Sequence, residues 1–256
     1  MNLALRETSY WLHQYRRTWR GTVVISIVNP LLFLTALGLG LGSLVDGSGG
    51  SRPGGLPYAT FLAPGLLAGA AMQTAFIEGA FSVYNAVRGQ QNYRATAATP
   101  LAPGHILGGH YLFIGFRLLT SCAAFALVMA AFGIDRSWRA AAVVGCATLT
   151  GLAFAAPLMA LGAAAERHST LMAVFRYLVM PMYFFCGTFF AVSQLPLWAR
   201  SVVYLTPLWH GVALCRSMAL GQGTAAMELL HTGVLLLFAA AGLLLAHRAY
   251  RRTLHG

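Results

Sequence analysis

Long apolar stretches bounded by arginines limit what this chain can fold into. A transmembrane helix needs about 20 consecutive apolar residues at a rise of about 1.5 Å each. Six segments reach that length, at about 22–42, 59–84, 106–132, 139–163, 171–191 and 225–247. Charged residues make up only 9% of the 256 residues, against roughly 25% in an average soluble domain. The sequence therefore predicts an all-α integral membrane protein, with six transmembrane helices in a single domain over residues 1–256.

The arginines predict the orientation of these spans. All 17 basic residues are arginine, and the chain contains no lysine. With the N-terminus inside, the short inner segments hold ten arginines and the outer segments hold four. Because cytoplasmic loops carry the excess of positive charge, we expect both termini to be cytoplasmic. The net charge of +11 does not indicate nucleic-acid binding, since the arginines form short clusters at span ends rather than one basic face.

The pattern of side chains in residues 1–20 predicts an amphipathic helix before the first span. Trp11, Tyr15 and Trp19 recur at helical spacing on one face, and arginines occupy the other positions. Such a composition is typical of a helix that lies in the plane of the lipid headgroups. Two interpretations stay open at this stage: a general interfacial anchor, or a lever that couples a cytoplasmic partner to the first span.

The segment at about 192–216 is too polar to span simply and too apolar for a free loop. It contains Pro196, Arg200, Pro207 and Arg216 among apolar residues. Non-helical backbone at membrane depth must be buried in protein. We therefore expect a re-entrant or interfacial pair of helices before the last span.

Few residues could carry catalytic or cofactor chemistry. A chain without lysine cannot hold the phosphate-binding lysine of a P-loop, and there is no H-E-x-x-H motif. His105 and His110 are five residues apart and do not share a helical face, which argues against a metal site. The sequence thus predicts no enzyme activity, no metal and no cofactor in this chain.

Charged residues inside predicted spans are expensive and tend to be functional. Glu78 lies in the second predicted span and Arg117 in the third, and these neighbouring antiparallel helices could bring the two side chains together. The pair could be a structural link between helices, or it could form, together with Gln73, a polar lining of a translocation path.

The inner loop between the second and third spans combines polar and aromatic residues. It contains Arg88, Tyr93, Arg94, Thr99 and Pro100, and a Pro-x-x-Pro break precedes the next span. A short amphipathic helix there could fit a groove on a partner domain. An ordinary linker is the alternative interpretation.

These pieces together resemble a known family. The matching pieces are Tyr58-Ala-Thr-Phe-Leu-Ala-Pro-Gly65, Glu78, Arg94, Thr99-Pro100-Leu101, Phe185-Cys-Gly-Thr-Phe-Phe190, Gln194-Leu-Pro196, Thr206-Pro207-Leu208, Arg216 and Gly221. In order and spacing they resemble type-2 ABC exporter permeases. The resemblance is greatest to the nodulation-type lipooligosaccharide exporter permeases and the daunorubicin-type drug-efflux permeases.

The resemblance implies the membrane subunit of an ATP-driven exporter in a bacterial plasma membrane. The substrate would be amphipathic, either a lipooligosaccharide or glycolipid or a hydrophobic drug whose efflux confers antibiotic resistance. Two cytoplasmic ATPase subunits would bind ATP and magnesium, and a second permease chain would complete a homodimer or heterodimer. The residues expected to couple to the ATPase are Trp11, Tyr15, Trp19, Arg88, Tyr93, Arg94, Thr99 and Pro100. The alternatives are a secondary transporter or channel, and, with less support, a membrane-bound enzyme.

Overall fold

The computed structural model describes residues 3–42, 57–89, 93, 102–134 and 138–255, and within these residues all regular structure is helical. Helix α1 covers Leu3–Phe33 and continues in π-helical turns over Leu34–Leu41, and α2 begins with Tyr58–Phe76 and continues to Gly89. The further helices are α3 (Pro103–Ala131), α4 (Arg139–Ala164), α5 (His168–Val174, continued by Phe175–Val179 and Met180–Phe185), α6 (Leu197–Tyr204), α7 (Pro207–Leu220) and α8 (Ala225–His255).

Five of the described helices are long and apolar enough to cross a membrane. They contain the segments Trp19–Gly38, Tyr58–Gly89, Pro103–Ala131, Arg139–Ala164 and Ala225–Leu254. These correspond to five of the predicted spans. The remaining predicted span, 171–191, falls on α5, whose helical turns end at Phe185. The count of six spans therefore stays a prediction.

Helix α4 lies at the centre of the bundle and packs against α2, α3, α7 and α8. Small residues allow its close contact with α2. A Cβ atom built on Gly79 would lie 3.1 Å from the carbonyl oxygen of Ala155, and one on Gly162 would lie 3.0 Å from the carbonyl oxygen of Gly79. Transmembrane helices commonly use such residues to bring their backbones together.

The structure joins the predicted amphipathic helix over residues 1–20 to the first predicted span. Helix α1 runs through Arg20 and Gly21 without interruption, so the amphipathic segment and the first span form one helix. The physical reason is the absence of a strong helix breaker at the junction, because a single glycine costs only about 1 kcal/mol relative to alanine. The first proline inside the helix is Pro30. That the N-terminal segment lies at the headgroups stays a prediction.

The segment after α5 contains two short helices, as expected. Helix α6 is followed by α7, which begins where the Thr206 hydroxyl accepts a hydrogen bond from the Trp209 backbone N–H. Helix α7 ends at Gly221, whose left-handed φ of 64° suits glycine. The helical pair is confirmed, and its re-entrant depth stays a prediction.

Candidate coupling and transport site

An ion pair joins the two charged residues predicted inside spans. The Arg117 Nε donates to the Glu78 Oε1 over 3.1 Å, and the two side chains are only 6% and 15% exposed. Tyr15 of α1 completes the group, because its hydroxyl accepts from Arg117 Nη1 at 3.5 Å and its ring centre lies 4.9 Å from the guanidinium carbon. The pairing was expected from sequence, and the link to α1 was not. Three helices therefore meet at one charged contact.

Local backbone geometry places Glu78 in this contact. Helix α2 changes from α-helical to π-helical turns over Ile77–Phe81. The Ser82 hydroxyl lies 3.4 Å from the second Glu78 carboxylate oxygen. π-helical turns are rare and occur frequently at functional sites. Gln73 is half-buried, and it makes no hydrogen bond with either member of the pair in the described part of the chain.

A buried aromatic group, which we call the Trp11 cluster, lies near the N-terminus. It consists of Glu7, Trp11, Tyr93, His110 and Tyr250, all at most 7% exposed. The indole of Trp11 stacks on His110 with ring centres 4.0 Å apart and donates its N–H to the Glu7 carboxylate at 2.9 Å. The Tyr93 hydroxyl hydrogen-bonds to His110 Nδ1, and the Tyr93 ring centre lies 5.7 Å from that of Tyr250. The cluster thus joins α1, residue 93, α3 and α8.

The backbones of α1 and α3 approach closely beside this cluster. The Thr8 hydroxyl donates to the Gly109 carbonyl at 2.9 Å. A Cβ atom on Gly109 would lie 2.5 Å from both the Ala4 carbonyl oxygen and the Glu7 Cβ, so only glycine fits. At the neighbouring Gly108 a Cβ would meet nothing within 4 Å.

Burial alters the ionisation of two members of the Trp11 cluster. It raises the pKa of the Glu7 carboxyl, while the hydrogen bond from Trp11 acts in the opposite direction. It also raises the pKa of the Tyr93 phenol well above its ordinary value, and nearby Tyr250 and Glu7 add to this effect. The phenol therefore stays protonated at neutral pH, and Glu7 is easier to protonate than a carboxyl in water.

The predicted coupling residues that the structure describes differ in their exposure. Trp11 and Tyr93 are buried, so they offer no surface to a partner, in contrast to the expectation of direct ATPase contact. The reason is that the aromatic face of α1 packs on α3, with the Trp11 ring centre 5.7 Å from that of Phe113. Trp19 is 46% exposed, and Arg88 is exposed at the end of α2. Arg94, Thr99 and Pro100 lie outside the described residues.

Sequence reasoning missed three members of the Trp11 cluster: Glu7, His110 and Tyr250. It considered His110 only as a partner of His105 in a metal site. In the described part of the chain, no group of three or more His, Cys, Asp or Glu could hold a metal ion. A weak signal was present, since a carboxylate four residues before a tryptophan can meet it on one helix face.

The bundle of membrane-length helices with its buried ion pair defines an integral membrane protein. A family model described as "ABC-2 type transporter" matches residues 8–220, and the chain belongs to that family. The match includes the ion pair and most of the Trp11 cluster. This agrees with the resemblance noted in the sequence.

Similar proteins cover nearly the same length. Nodulation protein J of Rhizobium leguminosarum bv. viciae is 30% identical over 251 residues, which is 95% of both chains. Nodulation protein J of Sinorhizobium fredii is 31% identical over 240 residues, 90% of this chain and 88% of the relative. The inner membrane transport permease YadH of Escherichia coli is 25% identical over 220 residues, 82% of this chain and 80% of the relative. No solved structure gave a significant match.

Proposed function

We propose that this chain is the transmembrane subunit of an ATP-driven exporter in the bacterial inner membrane, with both termini cytoplasmic. It forms the path for an amphipathic substrate, and a separate ABC ATPase subunit binds ATP and magnesium and hydrolyses the ATP. Membership in the ABC-2 family supports a transport subunit. We take the substrate to be a lipooligosaccharide or other glycolipid, which is the class that the nodulation-type resemblance implies, and the similarity to nodulation protein J along 95% of the chain agrees with that resemblance.

The observation that carries this proposal is the Trp11 cluster. It connects four separate parts of the chain at one end of the bundle, where Tyr93 and the C-terminal end of α8 meet α1 and α3. From Trp11, α1 continues one helical turn to Tyr15, which contacts Arg117, and Arg117 contacts Glu78. A displacement of α1 or of the segment around Tyr93 therefore reaches α3 and α2 through direct contacts.

Exposed groups beside the cluster supply the contact with the ATPase. Arg16, Arg17 and Trp19 are exposed on α1, and Arg88 is exposed at the end of α2. We assign the partner-facing role to these residues together with Arg94, Thr99 and Pro100 of the following loop. Trp11 and Tyr93 then transmit the movement from inside the bundle, while Tyr15 passes it to the ion pair.

A second permease chain is proposed to cover α5. This helix exposes Tyr177 to 75% and Leu178 to 56%, and Phe184 and Phe185 to about half. It also makes the sparsest contacts of the longer helices with the rest of the bundle. A path between two α5 surfaces would be apolar, which suits an amphipathic substrate. The pair of permeases would associate with two ATPase subunits.

No contact among the described residues specifically supports the alternative function of a secondary transporter or channel. Secondary transporters place ionisable relays near the membrane midplane. In this chain the carboxylate Glu78 is held by Arg117 at 3.1 Å. This contact favours a structural or path-lining ion pair over a relay of carboxylates.

The test is co-purification of a tagged full-length chain with an ABC ATPase expressed beside it. We expect a stable complex in which exchanging Arg88 and Arg17 for glutamate weakens binding. The matched control is Arg139→Glu, at the other end of the bundle. An ATPase that never associates with the chain would contradict the proposal.

A further inference from the structure

A guanidinium on α7 is held by backbone carbonyls at the end of the bundle opposite the Trp11 cluster. Arg216 Nε donates to the Phe61 carbonyl at 3.3 Å, and Nη2 donates to the Gly187 carbonyl at 2.9 Å. The guanidinium carbon also lies 3.8 Å from the centre of the Phe61 ring. Phe61 is near the start of α2 and Gly187 follows α5, so three segments converge on this side chain.

This cation retains unused hydrogen-bonding capacity. A guanidinium has five N–H donors in a planar fork. Two of them are used by the carbonyls of Phe61 and Gly187, which leaves three without an acceptor among the residues that the structure describes. No carboxylate of these residues lies within ion-pair distance of Arg216. A half-buried charge without a counter-ion costs free energy unless a ligand or water completes it.

A small cavity opens beside the guanidinium. Its volume is about 210 Å³, and it is lined by Gly187, Ala191, Val192, Ser193, Tyr204, Trp209, Val212, Ala213 and Arg216. This is below the roughly 300–1,000 Å³ of sites that enclose drug-sized ligands. The cavity therefore suits a single small group rather than a whole amphipathic molecule.

Backbone segments pack closely around the Arg216 guanidinium and bring polar groups near it. A Cβ on Gly65 would lie 2.9 Å from the Thr188 carbonyl oxygen and 3.1 Å from Arg216 Nη2, so α2 approaches closely only because residue 65 is glycine. The Thr188 hydroxyl is fully buried and has no hydrogen-bond partner among the residues that the structure describes. Gly187 has a left-handed φ of 86°, which suits glycine and turns its carbonyl-bearing segment toward the guanidinium.

We propose that this cavity, the Arg216 pocket, binds one oxyanion: a carboxylate, phosphate or sulfate group, either on a lipid headgroup or free in solution. The planar fork of arginine matches two oxygens of such a group. The Phe61 ring lies against the guanidinium, and Ser193, Tyr204 and Trp209, whose side chains carry hydroxyl and indole donors, line the cavity.

The test measures equilibrium binding to the purified full-length chain without an ATPase, so its outcome does not depend on the transport proposal. One arm titrates radiolabelled inorganic phosphate into the chain in neutral detergent. The other measures labelled phosphatidylglycerol in phosphatidylcholine nanodiscs. Saturable phosphate binding identifies a free oxyanion as sufficient, whereas binding of phosphatidylglycerol alone identifies a lipid headgroup.

Two variants test whether binding occurs at this pocket. Arg216→Gln removes the guanidinium. It should weaken the binding of whichever probe binds the wild-type chain by about tenfold or more. Ala213→Leu keeps Arg216 and fills the cavity, so it covers the case in which Arg216→Gln does not fold. The control is Arg167→Gln, since Arg167 is an exposed arginine between α4 and α5 that does not line the cavity.

The expected result is a loss of affinity in both pocket variants, with Arg167→Gln within twofold of the wild-type chain. Absence of saturable binding of either probe to the wild-type chain would overturn the proposal and leave water as the occupant. Unchanged affinity in Ala213→Leu would overturn it too.

Discussion

Replacing Glu78 with glutamine removes the carboxylate that Arg117 contacts at 3.1 Å. The two side chains are 15% and 6% exposed, so solvent screens the pair only weakly. Breaking a buried ion pair by removing one partner costs about 3–5 kcal/mol, because the other charge stays buried without compensation. Since total stabilities are about 5–15 kcal/mol, we expect a large loss of unfolding free energy for Glu78→Gln.

A double-mutant cycle separates the pair from its surroundings. The variants are Glu78→Gln, Arg117→Leu and the double variant, measured by reversible unfolding of the full chain from mixed micelles in rising dodecyl sulfate. We expect the double variant to be less destabilised than the sum of the singles, with a coupling of at least about 1.5 kcal/mol. Glu166→Gln, at an exposed position between α4 and α5, should change stability by no more than about 0.5 kcal/mol. Additive effects of the two single variants would refute the pairing.

Three further predictions concern the α1–α3 contact, the buried carboxyl and α5. Gly109→Ala places a methyl group 2.5 Å from the Ala4 carbonyl and should destabilise the chain by about 1–3 kcal/mol, whereas Gly108→Ala, with open space around it, should be neutral in the same unfolding assay. Burial raises the pKa of Glu7 above 4.5, so the folded state binds its proton more tightly than the unfolded state does. The unfolding free energy should therefore fall as pH rises through the window that begins near 4.5, and Glu7→Gln should remove this dependence; an unchanged pH profile would contradict the burial of the carboxyl. Tyr177→Cys, on the exposed face of α5, should form a disulfide between two chains in membranes, whereas Leu235→Cys, at a fully buried position, should not; equal yields would contradict the dimer.

The sequence predicted the helices that depend on local properties of the chain, such as the length of an apolar stretch. Helices α3 and α4 lie within a few residues of the predicted spans 106–132 and 139–163, because apolar length alone determines them. The pairing of Glu78 with Arg117 was also accessible, since two opposite charges in adjacent antiparallel spans have few other partners.

Contacts between distant parts of the chain were not accessible in the same way. Trp11, Tyr93 and Tyr250 come into contact only after α1, α3 and α8 have packed. No local pattern in a single sequence indicates that contact. The aromatic face of α1 was recognised, but its target was not: Trp11 and Tyr15 pack on α3 instead of facing a partner. The unbroken helix through Gly21 likewise shows that one glycine does not end a helix when both sides favour it.

The burial of Tyr93 determines which variant tests coupling. Replacing the fully buried Tyr93 with alanine would remove core packing as well as any coupling, so a loss of transport would not separate the two. Tyr93→Phe keeps the ring and removes the hydroxyl, and with it the hydrogen bond to His110. It is therefore the sharper variant, with Arg88→Ala as its counterpart on the exposed surface.

The most direct measurement of the central claim is transport by the reconstituted complex. The full-length chain and its ABC ATPase are placed in proteoliposomes with a labelled lipooligosaccharide in the leaflet that faces the ATPase, and its appearance in the opposite leaflet is followed over time. An ATP-driven exporter predicts movement that requires ATP, magnesium and the ATPase, and that Tyr93→Phe slows while assembly is preserved. Movement that proceeds without the ATPase and follows an imposed proton gradient would contradict the account.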